Sequence, residues 1–283
     1  MVPWAFRAAW AVLPFTMGPA LAHALDGRSR PVQVVASAGL WAAWSAALAA
    51  SLVPHPISLS VVRGAAPGAP LLAITAAAGG HGSPLGVAAS ALAAALAFSP
   101  EVGALFVNGP AYPNERRFPL RVPAPLLLGV LAVVWGLAVV PPTASLLLLA
   151  ARQWVVGALL LVASGPVTVI LARAVHGLSR RWLVFVPAGV VIHDPVALAD
   201  PVLFRKAVVR SFGPAPADTA ALDLTQAAPG LALKLELTEE VPMVRARFGA
   251  RMGQPVAPTS VLVTPTRPGA VLREAARRGF RAS

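Results

Sequence analysis

The chain of 283 residues is 57% hydrophobic and only 12% charged, whereas charged side chains make up about a quarter of an ordinary soluble domain. A mean hydropathy of +0.72 excludes a chain that folds wholly in water, and the lack of cysteine excludes disulfides, thiolate zinc centres and cysteine nucleophiles. The net charge of +12 comes without a basic stripe interleaved with aromatics, so it reads as the positive-inside bias of a membrane protein, with no nucleic-acid partner.

Residues 1–177 hold nine arginines and three acids, while residues 178–283 hold 14 lysines or arginines and eight acids. This contrast predicts a transmembrane helical domain over 1–177 and a water-exposed domain over 178–283. Arg7 is followed by an apolar run, 8–25, in which Ala22-His23-Ala24 matches a small-x-small cleavage pattern. Residues 1–24 are therefore a signal peptide or a retained first span, and the span is the expectation, because membrane helices tolerate Pro14 and Pro19. Residues 32–53 form the next span, with Trp41 and Trp44 packing at mid-membrane and Gly39 and Ala43 offering a close-approach face. Pro54-His55-Pro56 breaks the helix. Residues 58–78 carry Arg63, Pro67 and Pro70, and are read as a span whose Arg63 snorkels to the cytoplasmic headgroups, or else as a re-entrant segment. That choice separates six spans, the preferred count, from five.

Residues 84–98 follow as an Ala-rich run of about 22 Å, and 99–122 as the longest polar connection of the membrane part. A confident span covers 124–140 and closes at Pro141 and Pro142, after which 145–151 lies in the outer interface or lengthens the last helix. That last helix, 154–172, has no charge over roughly 28 Å. Arg173, Arg180 and Arg181 follow it and are expected to hold the rest of the chain in the cytoplasm. With six spans Arg7, Arg63, Arg116, Arg117 and Arg121 lie inside, against Arg28, Arg30 and Arg152 outside.

Beyond Arg181 the hydrophobic period shortens to that of strands. They are expected at 182–186, 190–193, 203–212, 219–225, 231–237, 243–248 and 260–263, with a hairpin at Pro187-Ala188-Gly189 and a helix at 268–278. About seven short strands in a bent sheet or barrel, closed by a terminal helix over 180–281, resemble the bacterial pleckstrin-homology-like domains that hang from membrane spans. The resemblance rests on element order. It implies a scaffold or self-association module at the inner leaflet, with partners bound on loops or a sheet edge.

Chemistry is sparse. No acid lies inside any drawn span, the five histidines are scattered, and neither a nucleotide-binding loop nor a nucleophile elbow occurs. No metal, cofactor or catalytic residue is therefore expected. The candidate site is an anion or lipid-headgroup contact at Asn108, Tyr112, Asn114, Glu115, Arg116 and Arg117, with Arg63 nearby, since arginine pairs suit phosphate or carboxylate. The alternative is that Arg116 and Arg117 only set topology while Glu115 pairs with one of them. Arg205, Lys206 and Arg210 are further candidates for anionic lipid. The chain is thus expected to be a multi-pass plasma-membrane protein, non-enzymatic, with membrane lipids, other membrane proteins or its own copies as partners. A carrier or channel for a small or lipid-like molecule is the alternative.

Overall fold

A computed structural model describes residues 1–216, 218–246 and 253–282. The chain divides into a helical unit, Met1–Gly109 with Ala132–Val175, and a β-rich unit, Pro110–Leu131 with His176–Ser283. Neither unit is continuous in sequence. The expected boundary near 178 holds only for the last crossing of the chain, because the polar connection beginning at Pro110 folds with the β-rich unit.

The helical unit begins with three short helices, α1 (Val2–Ala11), α2 (Leu13–Thr16) and α3 (Gly18–Leu25), interrupted around Pro14 and Pro19. Then come α4 (Arg30–Leu52), α5 (Pro56–Ala65), α6 (Gly68–Ala78), α7 (Pro84–Ala97), α8 (Pro100–Asn108), α9 (Leu131–Ala150) and α10 (Trp154–Leu178). Proline in the first turn starts α4, α5, α7 and α8, where its missing N–H would lack a partner anyway. Ser83 and Ser99 cap α7 and α8 by accepting from the N–H of Gly86 (3.0 Å) and Val102 (3.3 Å).

Four helical stretches are long and apolar enough to cross a membrane: Arg30–Leu52, Pro56–Ala78, Leu126–Ala150 and Trp154–Leu178. The pair Pro84–Ala97 and Pro100–Asn108, bent by 50°, makes a fifth if it counts as one broken span. The first apolar run contributes none of sufficient length, so six is not reached among the described residues. Its side chains pack nonetheless: Phe6, Trp10 and Leu13 are buried, and Trp10 and Trp44 each donate an indole N–H to the other's carbonyl at 3.0 and 2.9 Å.

Two expectations are corrected. Gly39 and Ala43 are exposed, and α4 buries Ala47 and Ser51 instead; the small-residue pair lies on the wrong side of the helix. Pro141 and Pro142 do not end their helix, which runs to Ala150 and takes in 145–150. Prolines here free the carbonyls one turn earlier, and Thr168 of α10 donates its hydroxyl to Ala138 O at 3.0 Å, satisfying one of them.

In the β-rich unit one four-stranded antiparallel sheet runs in order β1 (Arg116–Pro119), β2 (Trp182–Val186), β3 (Gly189–His193), β4 (Val202–Arg205). A second contains β5 (Val209–Pro214), β6 (Leu222–Asp223), β7 (Leu233–Leu237) and β10 (Ser260–Val263) in spatial order β5-β7-β10-β6. Strands β8 (Met243–Arg245) and β9 (Gln254–Val256) form a separate pair, and α11 (Pro268–Arg277) follows. The core joins both sheets and the helix through Phe118, Leu120, Phe185, Ile192, Phe204, Phe212, Leu235, Val261 and Val271.

Most strands lie where alternation places them. The 203–212 run splits into β4 and β5, 219–225 shortens to β6, and residues 247 and 248 of the 243–248 strand lie outside the described residues. Two strands were missed altogether, β9 and β1, and β1 has the larger consequence. It pairs residue for residue with β2, Arg116 with Phe185 through Pro119 with Trp182. The two longest apolar stretches, Leu126–Ala150 and Trp154–Leu178, therefore form an insertion between adjacent strands of one sheet.

Candidate functional site

The seven candidate residues fall on two units. In the helical unit Arg63, on α5, donates Nε–H to Ala97 O at 3.3 Å, the last carbonyl of α7, and its guanidinium stands 5.7 Å from the Phe98 ring. Gly103 of α8 leaves the room: a Cβ there would approach Nη2 to 2.9 Å. Arg63 thus closes the end of α7 at the break before α8, a capping task consistent with its place inside a bundle. Asn108 donates Nδ2–H to Ala104 O at 2.8 Å, one turn back on its own helix.

The other five belong to the β-rich unit. Tyr112 is exposed, and its backbone N–H donates to Glu115 Oε2 at 3.2 Å. Glu115 accepts a forked pair from Arg117, Nε–H at 2.8 Å and Nη2–H at 3.1 Å, with both side chains only about one-seventh exposed. The Arg117 guanidinium also lies 4.8 Å over the Trp182 ring. Arg117 is thus committed to Glu115 and Trp182, whereas Arg116, one residue earlier, faces solvent at the start of β1. Asn114 takes part through its backbone, its carbonyl accepting from Arg278 Nη2 at 3.0 Å. Alternation explains the division, since neighbours on a strand face opposite ways.

Sequence reasoning missed two anchors. Arg181, read as a topology signal, is 2% exposed and forks onto Asp194 at 2.8 and 2.7 Å, while Nη1 donates to Arg121 O at 2.7 Å. It serves the β-rich fold rather than lipid headgroups. Asp194 further accepts from the N–H of Val196 at 3.0 Å. Glu274 on α11 is 6% exposed and pairs with Arg277 and with Arg278 at 2.7 Å; burial pushes its carboxyl up, but the two guanidinium bonds outweigh this and hold it below the ordinary range. An acid at i with arginines at i+3 and i+4 is the signal that could have found it.

Arg117's hydrogen bond is the main reason the Glu115 carboxyl also sits below its ordinary value, helped by the Tyr112 N–H against a smaller cost of burial. A depressed carboxyl pKa stabilises the fold above the unfolded value, near 4.3, and that stabilisation is lost as pH falls through the folded value. Glu115→Gln is accordingly expected to cost about 1 kcal/mol or less at pH 7 and to flatten stability between about pH 5 and 3. Urea titration of the two proteins across that window reads the difference.

Elsewhere β8 and β9 flank an open groove of about 420 Å³ lined by Pro242, Met243, Val244, Pro255, Val256 and Ala257, with no titratable side chain among them. Among the described residues no three His, Cys, Asp or Glu side chains are grouped as a metal would need. No protein-family model, curated protein sequence or solved structure matches this chain.

Proposed function

We propose that the protein is a non-enzymatic, multi-pass scaffold of the plasma membrane whose β-rich unit sits at the cytoplasmic leaflet and contacts anionic lipid. The carrying observation is that β1, paired with β2 along its whole length, and β2 flank the two longest apolar stretches. If both cross, the chain leaves and re-enters on one side, because the strands at the two ends of the insertion are neighbours in one sheet. The arginines flanking the insertion support the cytoplasmic side: Arg116, Arg117 and Arg121 precede it, Arg173 lies near the end of α10 and Arg180 follows it, whereas Arg152 lies in the turn between the two stretches.

Lipid contact draws on Arg116, Arg205 and Arg210, all exposed, with Arg210 at the irregularity of β5 between Val209 and Ser211. Lys206 is already engaged, donating Nζ–H to Arg278 O at 2.6 Å. The ten described strands, in sheets of four, four and two, depart from the seven expected of a pleckstrin-homology-like domain, and the support for a scaffold with self-association or membrane partners is limited to a β-rich unit ending in a helix. The carrier alternative has less support, since Arg63 engages a helix-end carbonyl.

The chain has no cysteine, so single ones report cleanly. Tyr112→Cys and Ala282→Cys are expected to resist a membrane-impermeant maleimide in intact cells and to react after permeabilisation, while Gln153→Cys reacts from outside. Opposite behaviour of positions 112 and 282 would end this reading.

A further inference from the structure

Four side-chain atoms in the β-rich unit are buried and have no hydrogen-bond partner: Arg121 Nε, Trp182 Nε1, Thr264 Oγ1 and Thr266 Oγ1. A polar atom withdrawn from water and left unpaired costs its full desolvation, so such groups are rare singly, and four together call for a common cause. Thr264 is only 2% exposed.

The strand register places all four on one face. Pro119 stands opposite Trp182 across β1 and β2. On the other side of β1, Leu120 bridges Pro265, flanked by hydrogen bonds from Arg121 N–H to Thr264 O (2.8 Å) and from Thr266 N–H to Pro119 O (2.9 Å). Directly opposed residues share a face. One row therefore reads Trp182, Pro119, Thr266, and the next sets Arg121 opposite Thr264, while Phe118 and Leu120 turn the other way into the core. Pro119, without a polar side chain, separates the indole from the Thr266 hydroxyl.

The chemistry of these atoms is one-sided. Arginine Nε and indole Nε1 only donate, and threonine hydroxyls can rotate to donate. Among the described residues no acid lies within ion-pair distance of Arg121. A matching ligand must bring several acceptor oxygens and negative charge. Helix α11 begins two residues beyond Thr266 with no side chain capping its N-terminus, so the positive end of its dipole adds to the same edge. Trp182 follows the end of α10 at Leu178 by four residues, and Arg121 precedes the apolar stretch at Leu126 by five. Chain length alone then keeps both within about 14–18 Å of a span end, so both can reach a headgroup layer roughly 5–8 Å deep.

Gly230, with φ of 115°, lies against the guanidinium, and a Cβ there would come within 2.9 Å of Arg121 Nε. Gln226 and Ala227, both at φ 56°, hold the same loop in the left-handed region. We propose that this face is a phosphate-binding site, formed by Arg121, Trp182, Thr264 and Thr266, over which residues 225–230 close. The phosphate is carried by an anionic lipid headgroup or is free in solution. The site rests on the lipid-contact reading in the first case and replaces it in the second.

The full-length protein in neutral maltoside micelles is melted with phosphatidylglycerol in mixed micelles and, separately, with inorganic phosphate at constant ionic strength. Stabilisation by either source is expected. In the double variant Thr264→Val/Thr266→Val the half-saturating concentration should rise at least tenfold, and its melting point without phosphate should lie above the wild type, because two unpaired hydroxyls are gone. Trp182→Phe removes one donor and little else, and should weaken binding in the same direction if the double variant folds poorly. A response to the lipid assigns the phosphate to a headgroup; a response to inorganic phosphate alone keeps the site and ends the lipid-contact reading. Stabilisation by phosphatidylglycerol that persists undiminished in the variants keeps the lipid reading and overturns the site, as does the absence of any response to both sources.

Discussion

Asp194→Ala is expected to lower the stability of the β-rich unit by about 3–5 kcal/mol, and Arg181→Met by a similar amount. Each change strands one member of a bidentate pair whose side chains are 2% and 0% exposed. The loss on the Asp194 side is compounded, because the Val196 N–H also loses its acceptor, whereas the Ala197 N–H keeps the backbone carbonyl of residue 194 at 3.1 Å. Arg181→Met with Asp194→Leu should recover much of the deficit, since removing both charges abolishes the desolvation cost of each. Hydrogen exchange over residues 182–193 measures this: protection falls by about two to four decades in either single variant and returns substantially in the double. Equal losses in all three proteins would mean that the pair adds nothing beyond the space it fills.

A disulfide between Arg117→Cys and Val184→Cys is expected to form nearly quantitatively under mild oxidation. The two positions face each other across β1 and β2 in a chain with no cysteine of its own. The Leu120 N–H to Arg181 O bond of 2.9 Å fixes the phase of the ladder, making Arg117 and Val184 a non-hydrogen-bonded pair, whose Cα separation of about 4.5 Å suits a disulfide. With a protease site inserted near Gln153, cleavage should leave one band without reductant and two with it. Two bands under both conditions would remove β1 from the sheet, and with it the ground for placing both ends of the insertion on one side.

Both tests concern residues that carried a different meaning in the sequence. Hydropathy made the long apolar helices legible because a run without charge has few other readings, and the alternation of Leu233, Leu235 and Leu237 with Lys234 and Glu236 made β7 legible in the same way. The strand β1 was hidden because four residues, Arg-Arg-Phe-Pro, carry too little alternation to stand out, and its partner lies beyond two helices. Periodicity is a local signal, whereas strand pairing across an insertion is not. Arg181 was misassigned for a related reason: positive-inside counting treats all arginines beyond a span alike, and only the distant Asp194 tells a buried one from a free one.

The seven candidate residues do not fall together, since Arg63 and Asn108 lie in the helical unit and the other five in the β-rich unit. Glu115 does pair with one arginine, the alternative already weighed, and the choice of Arg117 over Arg116 follows from strand alternation. Trp182, Thr264 and Thr266 carried no signal at all. A hydroxyl without a partner is a property of packing, and nothing in the order of residues records it.

The insertion also fixes an order of events at the ribosome. Strand β1 emerges first and stays unmatched until residues 120–181 have been made and the two apolar stretches placed. At about 5–20 residues per second that wait lasts on the order of several seconds. The β1–β2 ladder can form only once both ends of the insertion are in reach of each other, so its completion reports that the two apolar stretches have been made and have brought the chain back.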